Sequence, residues 1–132
     1  MIVADASAIV DLLLGRGGAP KSSEHVVEFG AIHAPHLLNT EALHALRRWV
    51  RRGQLSPERA AEAVDDLGDL PVLYHAHAPL RARVWVLRDR FSAYDGTYVA
   101  LAEALGANLL TADGRLAREA DSLVVTIDVS PI

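Results

Sequence analysis

Among the residues able to do chemistry, the acids stand out by where they fall. Asp5 directly follows the apolar run Ile2-Val3-Ala4, and Asp113 lies two residues past Thr111, the end of the run Asn108-Leu109-Leu110-Thr111. Asp95 opens the helical stretch leading into that second run, and Glu41 interrupts another helical stripe among Leu38, Ala42 and Ala45. Acids crowded at one edge repel, and a carboxylate on an apolar stripe is costly unless something positive compensates it. Hard oxygen donors suit Mg2+ or Mn2+. The chain has no cysteine, which removes a thiolate zinc site, a Cys nucleophile and a disulfide framework. Each acid also has a plain structural role open to it: Asp5, Asp95 and Asp113 precede helices and would serve as N-caps, and Glu41 would sit at a helix edge. Ser7 and Thr111, beside the first and last acids, would tune the carboxylates by hydrogen bonding or serve as ordinary helix-start and strand-end residues.

Other reactive residue types say less. There is no His-Glu-x-x-His pattern, and His75-Ala76-His77 alternates to opposite sides of a strand end. His33, His36 and His44 read as surface or capping residues. Arg47, Arg48, Arg51 and Arg52 share the polar side of one helix, either as a solvated face or as a grip on a phosphate backbone. Arg16 and Lys21, in and beside a Gly-rich loop, are weaker candidates for the same task. Trp49 and Trp85 fall at apolar helical spacing and read as packing or interface residues.

The elements that must position these groups follow from periodicity. Ile2-Val3-Ala4 reads as a buried strand, and Ile9 to Leu14 as a helix with one apolar side stopped at Gly15. A short helix from about Ser23 to Phe29 and a strand Ala31-Ile32-His33-Ala34 follow. Leu37 to Val50 recur at three- and four-residue steps, giving a long amphipathic helix ended by Gly53. Ser56-Pro57-Glu58 is an N-cap with proline at the first helical position. Val72-Leu73-Tyr74 reads as a third strand, and Leu80, Val84, Leu87 and Phe91 as one helical stripe. The helix opened by Asp95 runs to Gly106, Asn108 to Thr111 form a fourth strand, a short helix spans Gly114 to Arg118, and Leu123 to Ile127 form a fifth strand.

Strands alternating with helices imply an α/β fold, a three-layer α/β/α sandwich on a predominantly parallel sheet of about five strands. In such sheets the ligand crevice lies outside the carboxyl ends of the strands, where Asp5 and Asp113 fall. At 132 residues, with 51% apolar and 23% charged residues, the chain reads as a single domain over 1–132 with a genuine core. The formal charge of −4 gives no general reason to expect nucleic acid. No apolar stretch approaches the roughly 20 residues of a membrane span, so a cytoplasmic protein with no membrane contact is expected.

The segments MIVADASAIVDLL, PHLLNTEALHALRR and AYDGTYVALAEALGANLLTADGRLAR together resemble PIN-domain ribonucleases, in particular the VapC toxins of toxin–antitoxin pairs. The resemblance covers nearly the whole chain and is most specific in the second half, where an Asp-x-x-Tyr-Val-Ala-Leu-Ala helix is followed by Leu-Leu-Thr-x-Asp. It implies that Asp5, Glu41, Asp95 and Asp113 match the family's acidic quartet, and that Thr111 matches its Ser/Thr before the last Asp. Gly96 departs from it, since the family more often has Ala there. The implied activity is endonucleolytic RNA hydrolysis with Mg2+, Mn2+ substituting, on a tRNA or a ribosomal loop. Implied partners are a VapB-like antitoxin and a second copy in a homodimer. Asp5 and Asp95 are expected as direct metal ligands, with Glu41 and Asp113 completing the shell and orienting water.

Two other α/β enzyme or receiver layouts fit poorly: a haloacid-dehalogenase phosphatase needs an acid where Ser7 stands, and a phosphoacceptor receiver needs a late Lys, whereas none follows Lys21. The remaining alternatives are a non-catalytic PIN-like module that binds a protein, or an RNA-processing nuclease that is not a toxin.

Overall fold

The computed structural model describes residues 1–131. Strands β1 (Ile2–Ala4), β2 (Ile32–Pro35), β3 (Val72–His75), β4 (Asn108–Thr111) and β5 (Thr126–Asp128) form one sheet in the order β3-β2-β1-β4-β5. Every neighbouring pair is parallel, with Ala4 opposite Leu110 and Ile2 opposite Ile32. The helices are α1 (Ala6–Leu14), α2 (Ala19–Phe29), α3 (Leu37–Arg51), α4 (Pro57–Asp69), α5 (Arg81–Val86), α6 (Ala93–Leu105) and α7 (Gly114–Ala120). No helix among the described residues is long and apolar enough to cross a membrane.

Alternation along the strands divides the core in two. Ile2, Ala4, Ile32, Ala34 and Leu110 face α1, α3 and α4, meeting Ile9, Leu38, Ala42 and Leu46. Val3 and Leu109 point the other way, onto Tyr98, Val99, Ala102 and Leu116 of α6 and α7. Strands buried on both faces read as continuous apolar runs, as these do. The chain runs outward from β1 through β2 to β3, then returns to place β4 on the other side of β1. That reversal makes the carboxyl ends of β1 and β4 the crevice of the sheet.

Several element boundaries differ from the sequence reading, each for a local reason. α2 starts at Ala19 rather than Ser23, because Pro20 in its first turn suits a helix start. α5 stops at Val86; Leu87 and Phe91 continue its stripe from a following turn, where both are buried. β5 is shifted to Thr126–Asp128, since Leu123 and Val124 bury against α6 and α7 from a turn rather than from a strand. Asp95 is not the N-cap of α6: Ser92 holds that position, its hydroxyl accepting from the Asp95 N–H at 3.1 Å.

Candidate active site

Asp5 is the end of β1 and the N-cap of α1 at once. Its backbone N–H donates to the Leu110 carbonyl at 3.1 Å, extending the sheet by one rung. Its Oδ1 accepts from the Ala8 N–H at 3.1 Å and from the Ser7 hydroxyl at 2.7 Å. Its Oδ2 accepts from the Thr111 hydroxyl at 2.6 Å. The capping role and the crevice position are therefore one geometry rather than competing ones. The side chain is 6% exposed. Burial pushes its pKa up to about 6 despite those hydrogen bonds, with the Asp95 charge adding to the rise.

Thr111 joins the two ends of the crevice, because its Oγ1 also accepts from the Asp113 N–H at 3.0 Å. Ser7 closes the loop by accepting from the Ala112 N–H at 3.0 Å. Asp113 caps α7, its Oδ1 accepting from the N–H groups of Arg115 and Leu116 at 3.0 and 3.2 Å. Asp95, in the first turn of α6, and Asp113 are bridged by one guanidinium: Arg115 Nη2 lies 3.1 Å from Asp95 Oδ2 and 3.4 Å from Asp113 Oδ2.

Glu41 enters from α3, half-buried, and burial raises its pKa, with the Asp95 charge again contributing. Tyr98, one turn beyond Asp95, feels the charges of Glu41, Asp5 and Asp95, which together with burial push its pKa far up. Its buried hydroxyl lies beside the Glu41 carboxylate, whose own rise it moderates. Arg115 thus joins Asp95 to Asp113, Thr111 joins Asp5 to the backbone of Asp113, and the Asp95 charge bears on both Asp5 and Glu41. No three His, Asp or Glu side chains among the described residues close on a single metal-ligand point. Asp5 is drawn to its hydroxyls, and Asp95 and Asp113 to Arg115.

A cleft of about 890 Å³ runs from Ser7 and Glu41 past His44 and Arg48 to Arg16 and Trp49. The Arg16 guanidinium stacks on the Trp49 indole at 3.4 Å. Trp49 is therefore partly a packing residue, as its spacing indicates, but its face is taken by Arg16. Arg47, Arg48, Arg51 and Arg52 are exposed and form no ion pair among the described residues, and with His44 they line a shallow groove beside the cleft.

Tyr98 and Arg115 had no place in the sequence reading. Tyr98 looked like one more apolar contact of α6, although its i,i+3 spacing from Asp95 puts both on one face. Arg115 stands two residues after Asp113, within reach of the carboxylate that caps its own helix. Two histidine readings also change. His33 Nδ1 and His75 Nε2 meet at 2.9 Å across β2 and β3, and His44 lines the cleft. Trp85 is 67% exposed and carries Arg88 on its ring at 4.5 Å rather than packing inward.

The five-stranded parallel sheet is a shape that known proteins share. The PIN domain profile matches residues 2–121. The chain belongs to the PIN-domain family. Among PIN-domain relatives, Ribonuclease VapC1 of Mycobacterium tuberculosis is 43% identical over 116 residues, covering 87% of each chain. Ribonuclease VapC9 of the same organism is 40% identical over 116 residues, covering 88% of each. The chain therefore falls with the VapC ribonucleases. Two solved structures share the fold: PAE2754 from Pyrobaculum aerophilum, at TM-score 0.73 and 22% identity, covering 95% of this chain and 82% of that one, and the sarcin–ricin loop cleaving toxin VapC20 of M. tuberculosis, at TM-score 0.66 and 19% identity, covering 89% and 94%.

Proposed function

We propose that this PIN-domain chain is a Mg2+-dependent endoribonuclease, with Mn2+ able to substitute, that hydrolyses RNA phosphodiester bonds at Asp5, Glu41, Asp95 and Asp113. The observation that carries the reading is the Asp5 carboxylate: buried, held on both oxygens by Ser7, Ala8 and Thr111, and raised to about pKa 6 within reach of the Asp95 charge. Such a group is unfavourable when ionised unless a cation sits near it. The donor set fits a hard divalent ion, being carboxylate and hydroxyl oxygen throughout, with the buried Tyr98 hydroxyl beside Glu41. Mg2+ keeps several waters and needs only one or two carboxylates directly, so a spread quartet is compatible with it.

In this reading Asp5 and Asp95 hold the ion, and Glu41 and Asp113 complete its surroundings and orient the attacking water. The bound ion supplies water activation and neutralises charge building on the phosphoryl oxygens. Ser7 and Thr111 fix the Asp5 rotamer and favour its ionised form. The RNA strand follows the cleft toward Arg48 and the exposed arginines of α3, whose lack of carboxylate partners leaves them free for phosphates. The unit spans 1–132 and acts in the cytoplasm as the toxin of a toxin–antitoxin pair, on a tRNA or ribosomal RNA, as a homodimer restrained by a VapB-like antitoxin.

The test is RNA cleavage by the purified chain with Mg2+ or Mn2+, followed by mapping of new 5′ ends. Asp5→Asn and Asp95→Asn are each expected to abolish the mapped ends. Cleavage that persists in both variants overturns the site assignment, and absence of cleavage by the wild type on many RNAs favours the protein-binding alternative.

A further inference from the structure

Among the described residues Arg115 is the one cation paired with the quartet. Its backbone N–H and that of Leu116 fix Asp113 Oδ1, and its Nη2 takes Asp113 Oδ2 and Asp95 Oδ2. One singly charged side chain thereby covers an oxygen on two of the four acids, while Asp5 and Glu41 form no ion pair among the described residues. The other terminal nitrogen, Nη1, is anchored one turn on by Glu119 at 2.8 Å. Arg115 is 53% exposed, and Asp95 and Asp113 are 26% and 39% exposed. Pairs in that setting are screened and individually weak, so they can be exchanged for a stronger cation. The Glu119 contact keeps the guanidinium tethered to α7 when it lets go of the acids.

We propose that Arg115 is a built-in counter-cation that competes with the divalent ion for Asp95 and Asp113, so that loading of the metal begins with its displacement. The inference rests on the reading of the quartet as a metal site. Its consequence is a metal affinity set below what the four acids alone would give, in exchange for a quartet that is partly neutralised before the ion arrives.

The experiment is calorimetric titration of Mn2+ into chelator-stripped protein at 0.15 M salt, comparing wild type, Arg115→Ala, Arg118→Ala and Asp95→Asn. Arg118 lies on the same helix and carries the same charge, but has no contact with the quartet, so its removal controls for long-range repulsion. Arg115→Ala is expected to bind Mn2+ about three- to tenfold more tightly than wild type, the range that two exposed pairs allow, with Arg118→Ala within about twofold of wild type. In thermal melts, Arg115→Ala should melt lower than wild type without metal and gain more on adding Mn2+. An Arg115→Ala affinity equal to or weaker than wild type, or an equal tightening in Arg118→Ala, overturns the inference. If the wild type binds Mn2+ and Asp95→Asn weakens it, the metal site stands whatever Arg115 does; if the wild type binds none, both readings fall. Arg115→Gln carries the same expectation should the alanine variant fold poorly.

Discussion

The Asp5 side chain carries structural and chemical duties that respond differently to pH. Its folded pKa of about 6 lies above the ordinary 3.8. An acid raised in this way contributes most to stability below the ordinary value, and that contribution is lost as pH rises through about 6. Two units correspond to something on the order of 3 kcal/mol. Unfolding of metal-free protein in urea should therefore show wild type losing stability relative to Asp5→Asn between about pH 4 and 6, the interval between the two values, and levelling off above it, with Asn retaining the helix cap. A pH-independent difference would mean that Asp5 is not strained by ionisation. Thr111→Val removes the 2.6 Å hydrogen bond to that carboxylate at a fully buried position. It should destabilise the fold by roughly 1–3 kcal/mol at pH 8 and move the acidic limb of the cleavage profile to higher pH, both measurable with the same purified variant. At this scale the sequence shows acids at strand ends readily, because a strand end is a local property. It hides the partners: Tyr98 and Arg115 acquire meaning only when α6 and α7 are brought side by side.

Elements are held in register by backbone approaches as much as by apolar faces, and two glycines show the contrast. A Cβ on Gly18 would fall 2.0 Å from the Val129 carbonyl oxygen, with the Val129 side chain close behind. Gly18→Ala must push the loop before α2 away from the segment after β5, and should lower stability by about 1–3 kcal/mol, read from denaturant midpoints. A Cβ on Gly96 would meet Val84 Cγ1 at 3.4 Å, an ordinary contact with a side chain. Gly96→Ala should raise stability by roughly 0.5–1 kcal/mol through helix propensity. The same measurement on both variants separates crowding from propensity. Helix starts with a proline or a Ser-x-x pattern are legible in the sequence at α4, whereas at α6 the sequence offers Asp95 as one possible cap and Ser92 supplies it. Both types favour the first turn, and only the hydrogen bond decides between them. The fifth strand was misplaced for a similar reason, since burial of Leu123 and Val124 gives the same apolar run whether the backbone is a strand or a turn.

Over the whole molecule, the charge of −4 is a poor guide to partners because the charges are segregated. The acids of the crevice face one way and the unpaired arginines of α3 border the adjoining groove. Binding of a single-stranded RNA to the uncleaving Asp95→Asn background should weaken steeply with salt. Each α3 arginine that grips a phosphate should add about 0.7 to the slope of log affinity against log salt. Replacing Arg47, Arg48, Arg51 and Arg52 with alanine should flatten that slope, measured by fluorescence anisotropy across a salt series; an unchanged slope assigns those arginines to a solvated face. Fold class was the most legible feature of the sequence, since alternation of short apolar runs and amphipathic helices leaves few architectures other than a covered parallel sheet.

The strand order also places a constraint in time. β1 is the first segment of the chain and the centre of the sheet, but its neighbour β4 is among the last, and the Asp5–Thr111 hydrogen bond spans 106 positions. During synthesis, β2 and β3 can pair early, while the side of β1 that carries the crevice waits for residues beyond Thr111 to emerge. A ribosome-bound chain shorter than that holds Asp5 and Glu41 without the Thr111 hydroxyl that aims the first and without Asp113. The geometry of the crevice is thus withheld until the residues through Asp113 have left the ribosome.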